Sequence, residues 1–353
     1  MIGLDAGGGL FLALREPQLT HRLTQVCRHN AARLAPTMPW ARGETSADAI
    51  AAYGVTTLRR LADGSGLDLA IVRSGEVLGV VNAVVGADGT AEFCWWVDRD
   101  VEGTGVARRA VETLAEHLVV RRGVRQVTAR MLPGDGRSGR LATRLGMAAI
   151  DDIGGARVYA LSAERWRDAN PRTAVELALP VDDELEMVLA EPRFVPALHA
   201  MTVANLDRLR EWEPWAQTRP TAQQSAAWWH GRMELFARAE AYPLLPRRRA
   251  DPGPALLGSV GATIEPTMGI ATVGYWLDAA ATGRGVGTRC VGRLVEMLLE
   301  ERQVEHLGLS TAVHNTRSRA LAERCGLTCD ALLPAHQRIA GADVDCVAYV
   351  RRR

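Results

Sequence analysis

Apolar residues recur along this 353-residue chain with two distinct periods. Val106, Ala110, Val111, Leu114, Ala115, Leu118 and Val119 fall at helical spacing and leave one face to bury. Val286, Cys290, Val291, Leu294, Val295, Leu298 and Leu299 repeat that face position for position. Shorter apolar runs predict strands at 10–14, 68–72, 77–85 and 91–97, and again at 185–189, 256–263 and 271–277. One or two helices are expected after the first strand of each set. Beyond each long helix the pattern predicts a short strand, at 124–129 and 306–310. A second helix then closes on Gly146 or Gly326, where glycine serves as a C-terminal cap.

The residues themselves repeat. Asp98 to Gly146, set without gaps against Asp278 to Gly326, gives 17 identities in 49 positions, too many for chance. Leu14–Pro17 matches Leu189–Pro192 and Pro39–Ala41 matches Pro214–Ala216, both at an offset of 175 residues. By Leu78-Gly79, against Leu257-Gly258, the offset is 179, so the second copy carries an insertion. The Pro- and Arg-rich stretch 242–254 reads as the loop that contains it, with Arg247, Arg248 and Arg249 as a solvated charge run. A linker is expected over 165–179. The chain thus divides into domains at 1–170 and 176–353, each long enough for its own core.

Composition narrows the class. With 47% hydrophobic and 24% charged residues the chain is globular, and a net charge of +1 supplies no field for nucleic acid or membrane. Cys27, Cys94, Cys290, Cys325, Cys329 and Cys346 form no C-x-x-C pair, and no histidine cluster stands at zinc spacing. Free thiols, no metal and a cytoplasmic location are expected, since no signal peptide or 18-residue apolar run is visible.

The candidate chemistry lies between strand and helix. Gly103-x-Gly105 and Gly283-x-Gly285-x-Gly287 interrupt the chain at the helix start, where free backbone N–H groups and the helix dipole suit a pyrophosphate. The turn comes late in each half, after a meander, which argues against a dinucleotide fold. No Gly-Lys-Ser/Thr follows, which excludes a P-loop.

These motifs resemble the GNAT acyltransferases, closest to the RimJ/RimL group. The family motif Arg/Gln-x-x-Gly-x-Gly/Ala appears as Thr282-x-x-Gly285-x-Gly287 and Glu102-x-x-Gly105-x-Ala107, both without the leading Arg or Gln. Gly274–Asp278 and Trp95–Asp98 resemble the family's bulged strand, Asn315–Ser318 and Asp135–Ser138 its second motif, and Asn205–Trp215 its leading helical segment, with Asn30–Trp40 a weaker echo. The resemblance implies an α/β (α+β) chain of two tandem GNAT-type domains, each a mixed, mostly antiparallel twisted sheet flanked by helices. It implies an acetyl-CoA-dependent N-acetyltransferase working by direct attack in a ternary complex, on a small amine or a peptide N-terminus, as monomer or homodimer.

Carried over residue by residue, Tyr275, Trp276 and Leu277 would pair with the pantetheine arm, and Asn315 would contact it. Gly283, Arg284, Gly285, Val286, Gly287 and Thr288 would hold the pyrophosphate. In the first half Val97, Gly103, Gly105, Val106 and Ala107 correspond. Ser318 and Ser138 would donate to the leaving thiolate, and Glu92 would serve as base through a water. By themselves these also read as helix-start serines, a local Asn cap and a solvated strand acid. Glu211, Glu213 and Glu234 are further base candidates, expected on polar helix faces. Trp212, Trp215, Trp228 and Trp229 read as packing residues or as a substrate wall. The second half keeps more of the cofactor apparatus, so catalysis is expected there. A CoA-binding pseudo-enzyme and a longer-chain acyltransferase are the alternatives.

Overall fold

The computed structural model describes residues 1–170, 175–250, 255–302 and 304–353. It divides into two compact units, Met1–Leu177 and Ala178–Arg353.

The N-terminal unit begins with strands β1 (Gly3–Asp5) and β2 (Leu10–Leu14), then helices α1 (Thr20–Leu34) and α2 (Ala47–Asp63). A meander follows, β3 (Gly66–Arg73), β4 (Glu76–Val85) and β5 (Thr90–Val97). Then come α3 (Val106–Glu116), β6 (Gln126–Met131), α4 (Gly136–Arg144), the hairpin β7 (Ala148–Ile153) and β8 (Ala156–Ser162), and α5 (Ala163–Ala169). The sheet order is β1-β2-β3-β4-β5-β6-β8-β7, and only β5 and β6 run parallel.

The C-terminal unit repeats this plan. Strands β9 (Ala178–Pro180) and β10 (Leu185–Leu189) lead to helices α6 (Val195–Ala204), α7 (Leu206–Leu209) and α8 (Ala222–Ala237). Its meander is β11 (Ala241–Arg248), β12 (Gly258–Glu265) and β13 (Ile270–Leu277). Helix α9 (Val286–Glu296), β14 (His306–Ala312), α10 (Thr316–Arg324) and the hairpin β15 (Thr328–Ile339) and β16 (Ala342–Arg352) complete it. Here β13 and β14 are the parallel pair. No helix among the described residues is long and apolar enough to cross a membrane.

The helical faces read from the sequence are buried as expected: Val106, Ala110, Val111 and Leu114 in α3, and Val286, Cys290, Val291 and Leu294 in α9. Both helices end in a widened π-turn, His117–Arg121 and Met297–Glu301. Gly79 and Gly258 hold the same position in the two meanders. At Gly258 a Cβ would lie 2.2 Å from the Trp276 carbonyl oxygen, and at Gly79 2.3 Å from that of Trp96, so only glycine lets these strands close.

Two sequence expectations need correction. The stretch 242–254 is not a loop throughout, because Ala241–Arg248 form the central strand β11. Its prolines stay in the sheet through their carbonyls: Pro243 accepts from Ala190 N at 2.9 Å and Pro246 from Leu257 N at 2.8 Å. Arg247 is buried beside Glu186 at 3.5 Å, not solvated. Register places Leu69 and Leu244 opposite Leu14 and Leu189, so the offset is still 175 in β11 and the insertion lies between β11 and β12. Residues 251–254 lie outside the described residues. In the stretch 165–179, α5 runs to Ala169 and β9 starts at Ala178, while 171–174 are also outside the described residues.

A buried asparagine joins the leading helix to the end of the last meander strand in each unit. Asn205 Nδ2 donates to Asp278 Oδ2 at 2.7 Å and to Met201 O at 2.9 Å, and its Oδ1 accepts from Ala279 N at 2.9 Å. Asn30 repeats all three bonds with Asp98, Val26 and Arg99. Truncation would strand buried polar groups, so Asn205→Ala should destabilise the C-terminal unit by about 1–3 kcal/mol in denaturant unfolding.

Candidate active site

In the C-terminal unit, β13 pairs with β12 as far as Leu277 but with β14 only over Ile270–Thr272. From Val273 onward the two parallel strands part and β13 presents one edge to a cleft. The β12–β13 register is uninterrupted, so the strand expected to be bulged is regular, and the opening comes from the parting alone. The cleft has a volume of about 1880 Å³. A single small ligand commonly fills roughly 300–1,000 Å³, so two reactants fit.

The glycine turn closes one end of this cleft. Gly283 and Gly285 take φ of 72° and 75°, a conformation that favours glycine. Helix α9 starts at Val286 with no side-chain cap, which leaves its first N–H groups and the positive end of its dipole for an anion. Gly287 is small for a different reason than ligand approach: a Cβ there would lie 2.8 Å from Leu321 Cδ1 and 3.3 Å from Leu277 Cδ1. Its bareness serves packing, and only its amide is available. Arg284 is exposed on the turn. Arg317 lines the cleft with no hydrogen-bond or ion-pair partner among the described residues. Asn315 caps α10, its Oδ1 accepting from Ser318 N at 3.1 Å, which is the local role the residue alone suggested.

The reactive groups converge beside Tyr275. Its hydroxyl donates to Ser318 Oγ at 3.1 Å, and Ser318 is buried. Burial raises the Tyr275 pKa, and the Glu213 carboxylate adds to the rise. Glu213 itself is half-buried in the cleft wall, not on a polar helix face as expected. Desolvation raises its pKa to about 7, against one opposing bond, Trp215 Nε1 to Glu213 Oε2 at 2.8 Å. Glu211 is exposed at the same cleft, and Glu234 pairs with His230 at 3.9 Å along α8. Of the tryptophans, Trp229 is buried, whereas Trp215 and Trp228 are 48% and 58% exposed and line the cleft with Trp212 and Trp276.

The equivalent positions of the N-terminal unit are filled. Met38 stands where Glu213 does and Cys94 where Gly274 does, and their sulfurs meet at 3.9 Å. Trp95, in place of Tyr275, is buried and has no hydroxyl to order Ser138. Trp96 is buried against Trp40 at 5.3 Å. Glu92 is exposed and pairs with Arg130 at 3.3 Å on the neighbouring strand. Helix α3 also starts uncapped, at Val106 and Ala107 after Gly103 and Gly105. Glu102, however, ties α1 to α4: Oε1 binds Arg33 at 2.5 Å and Oε2 takes Arg137. Arg33 also donates to the Val97 carbonyl at 2.7 Å. In the C-terminal unit the matching Thr282 makes only a local bond to Ala279 O at 2.8 Å.

The family model described as acetyltransferase (GNAT) domain matches residues 12–148 and again 186–328. The chain belongs to the GNAT acetyltransferase family and carries its domain twice. Among curated relatives, the ribosomal-protein-serine acetyltransferase of Escherichia coli (strain K12) is 22% identical over 174 residues, 49% of this chain and 95% of the relative. Two solved structures are similar in part. A RimL ribosomal L7/L12 alpha-N-protein acetyltransferase in complex with coenzyme A is 24% identical, with a TM-score of 0.47, over 50% of this chain and 97% of that one. The microcin C7 self-immunity acetyltransferase MccE, in complex with acetyl-CoA and AMP, is 21% identical, with a TM-score of 0.46, over 50% and 96%.

For this GNAT chain the site leaves a thermodynamic mark. A raised folded-state pKa means that the native state holds the Glu213 proton more tightly than the unfolded chain does. Stability contributed by this group is therefore lost as pH rises from about 4.5 to about 7. Glu213→Gln keeps an acceptor for Trp215 and removes that charge. The variant should raise the unfolding midpoint, by more at about pH 8 than at about pH 5, as read by thermal unfolding.

Proposed function

We propose that the chain acetylates a primary amine from acetyl-CoA in its C-terminal unit, and that the N-terminal unit is a scaffold that does not bind the donor. The observation that carries this reading is the pairing, on one cleft, of the desolvated Glu213 with the ordered Tyr275–Ser318 hydroxyls. The repeat that lacks both packs Met38, Cys94, Trp95 and Trp96 at the equivalent positions and keeps only a smaller cavity, about 600 Å³, at the start of α4.

The residues present fit the donor. The uncapped start of α9 and the free cation of Arg317 suit a pyrophosphate, and the unpaired edge of β13 over 273–277 suits an amide-bearing arm. Acetyl-CoA supplies the activated acetyl group. Glu213, with a pKa of about 7, takes the proton that an amine must lose before it can attack. A backbone N–H on the open edge of β13 receives the charge that develops on the carbonyl oxygen. The Ser318 hydroxyl, held by Tyr275, would donate a hydrogen bond to the sulfur as it departs as a thiolate, and Glu213 would return its proton to solvent. By its name, the Escherichia coli relative acts on a serine of a ribosomal protein. A peptide or small-molecule amine is accordingly the proposed acceptor, with cytoplasm as the proposed location.

Three outcomes test this reading. The rate, kcat/KM, should rise with pH to a plateau above about 7, and Glu213→Gln should lose that limb with a fall of about 10²–10⁴. Calorimetry should count one acetyl-CoA per chain. Arg208 and Arg317 occupy the positions of Arg33 and Arg137, so Thr282→Glu should rebuild the carboxylate bridge and weaken acetyl-CoA binding by about tenfold or more. Two sites per chain, or a pH profile unchanged in Glu213→Gln, would overturn the assignment.

A further inference from the structure

We infer that Arg232 and Trp228 form an acceptor subsite that recognises a carboxylate on the amine substrate. This rests on the acetyltransferase reading above and deepens it.

The two residues lie on the cleft face of α8, one turn apart. Trp228 is 58% exposed, an unusual exposure for so large an apolar ring, and it is propped edge-on by buried Trp229 at 4.5 Å. The Arg232 guanidinium sits 5.8 Å from the Trp228 ring centre. It is held in place by two neutral acceptors, Thr263 Oγ1 at 3.1 Å and Ala262 O at 2.9 Å. No carboxylate faces it among the described residues. Burial alone acts on its pKa, lowering it, with no acid to offset the loss of water. A partly desolvated cation without a counter-ion is costly. Arginine has five N–H donors and two are used here, so a fork remains for a carboxylate.

Position favours the acceptor over the donor. Ala262 and Thr263 pair with Val273 and Thr272, next to Gly274 and four to five residues before the end of β13 at Leu277. At about 3.4 Å per residue, Arg232 is anchored roughly 15 Å back along β13 from the end that leads into the glycine turn. The internal repeat supplies a second argument. Tyr53, Gly54 and Thr57 occupy the places of Trp228, Trp229 and Arg232 in α2. There Tyr53 binds Asp68 at 3.5 Å and Thr57 bonds back to Gly54 O at 2.8 Å, both internal to the fold. Tyr53 is also exposed, at 39%, but its hydroxyl is tied to Asp68 and no arginine stands one turn on, so among the described residues the pairing of an exposed ring with a cation that meets no carboxylate on this helix belongs to the C-terminal repeat.

The carboxylate could belong to a free amino acid or to an acidic side chain near a peptide N-terminus, and two acceptor pairs separate these sources. With acetyl-CoA as donor, L-phenylalanine is compared with L-phenylalaninamide, and a hexapeptide with Glu at its second position with the Gln peptide. In wild type, KM for the acidic member of at least one pair should be lower by about tenfold or more. Arg232→Gln should erase that difference by raising KM of the acidic member, while the neutral member stays within about twofold. Equal KM within both pairs in wild type would overturn the subsite without any variant, as would Arg232→Gln slowing both members alike. Turnover of no amine, with acetyl-CoA bound, would overturn the acetyltransferase reading itself and the subsite with it.

Discussion

The site depends on a polar clasp. Asn205 bonds the carboxylate of Asp278 and the amide of Ala279, and Asp278 in turn caps the short turn after β13 by accepting from Ala280 N at 2.8 Å. This fixes where the strand stops relative to the helix that precedes the meander. The glycine turn, the start of α9 and the open edge of β13 all take their places from it. A buried amide with every bond made is specific in a way that apolar packing is not, since a small displacement leaves a donor unsatisfied. Asn30 and Asp98 make the same bonds in the repeat that lacks the reactive groups. The clasp therefore belongs to the scaffold rather than to the chemistry.

With the scaffold held constant, the two units show what a working cleft requires. Met38 against Cys94 and Trp40 against Trp96 bury apolar surface. Their counterparts place a desolvated carboxylate and a glycine in the lining of one cleft and leave Trp215 half exposed. Filling the cleft stabilises a unit by dispersion and loss of apolar exposure, while keeping Glu213 basic carries a desolvation cost. Glu102 follows the same logic in electrostatic terms. Its carboxylate satisfies Arg33 and Arg137 from within, where the C-terminal unit leaves Arg317 without a partner among the described residues.

What was legible in the sequence is what local periodicity controls. The faces of α3 and α9, the first strands and the glycine turns follow from spacing, because burial of one face sets them. Strand β11 was hidden by its prolines, which signal a loop but keep their carbonyls in the ladder. The final hairpins were not anticipated: β7 is exposed throughout and β15 nearly so, which erases the alternation that marks a strand. Glu213 was misplaced because its character comes from burial in the cleft wall, which no local pattern signals. A usable signal was present, however. Pro39–Ala41 and Pro214–Ala216 align, and the residue just before each is Met38 in one copy and Glu213 in the other.

That signal generalises into a physical division of the fold. The stretch from the turn through α9 to α10 matches its counterpart at 17 of 49 positions, and on the reading proposed above it meets a constant donor through backbone groups and a dipole. Helix α8 bears instead Ser225, Trp228, Trp229 and Arg232 where α2 has Ile50, Tyr53, Gly54 and Thr57. Backbone recognition tolerates side-chain drift, so the donor half of a cleft can keep its geometry in a copy that no longer uses it. Acceptor recognition rests on side chains and must be built residue by residue. A duplicated chain can therefore display its acceptor chemistry as the difference between its copies, and here the differences gather on one wall: a desolvated carboxylate, an exposed indole and a guanidinium that meets no carboxylate among the described residues.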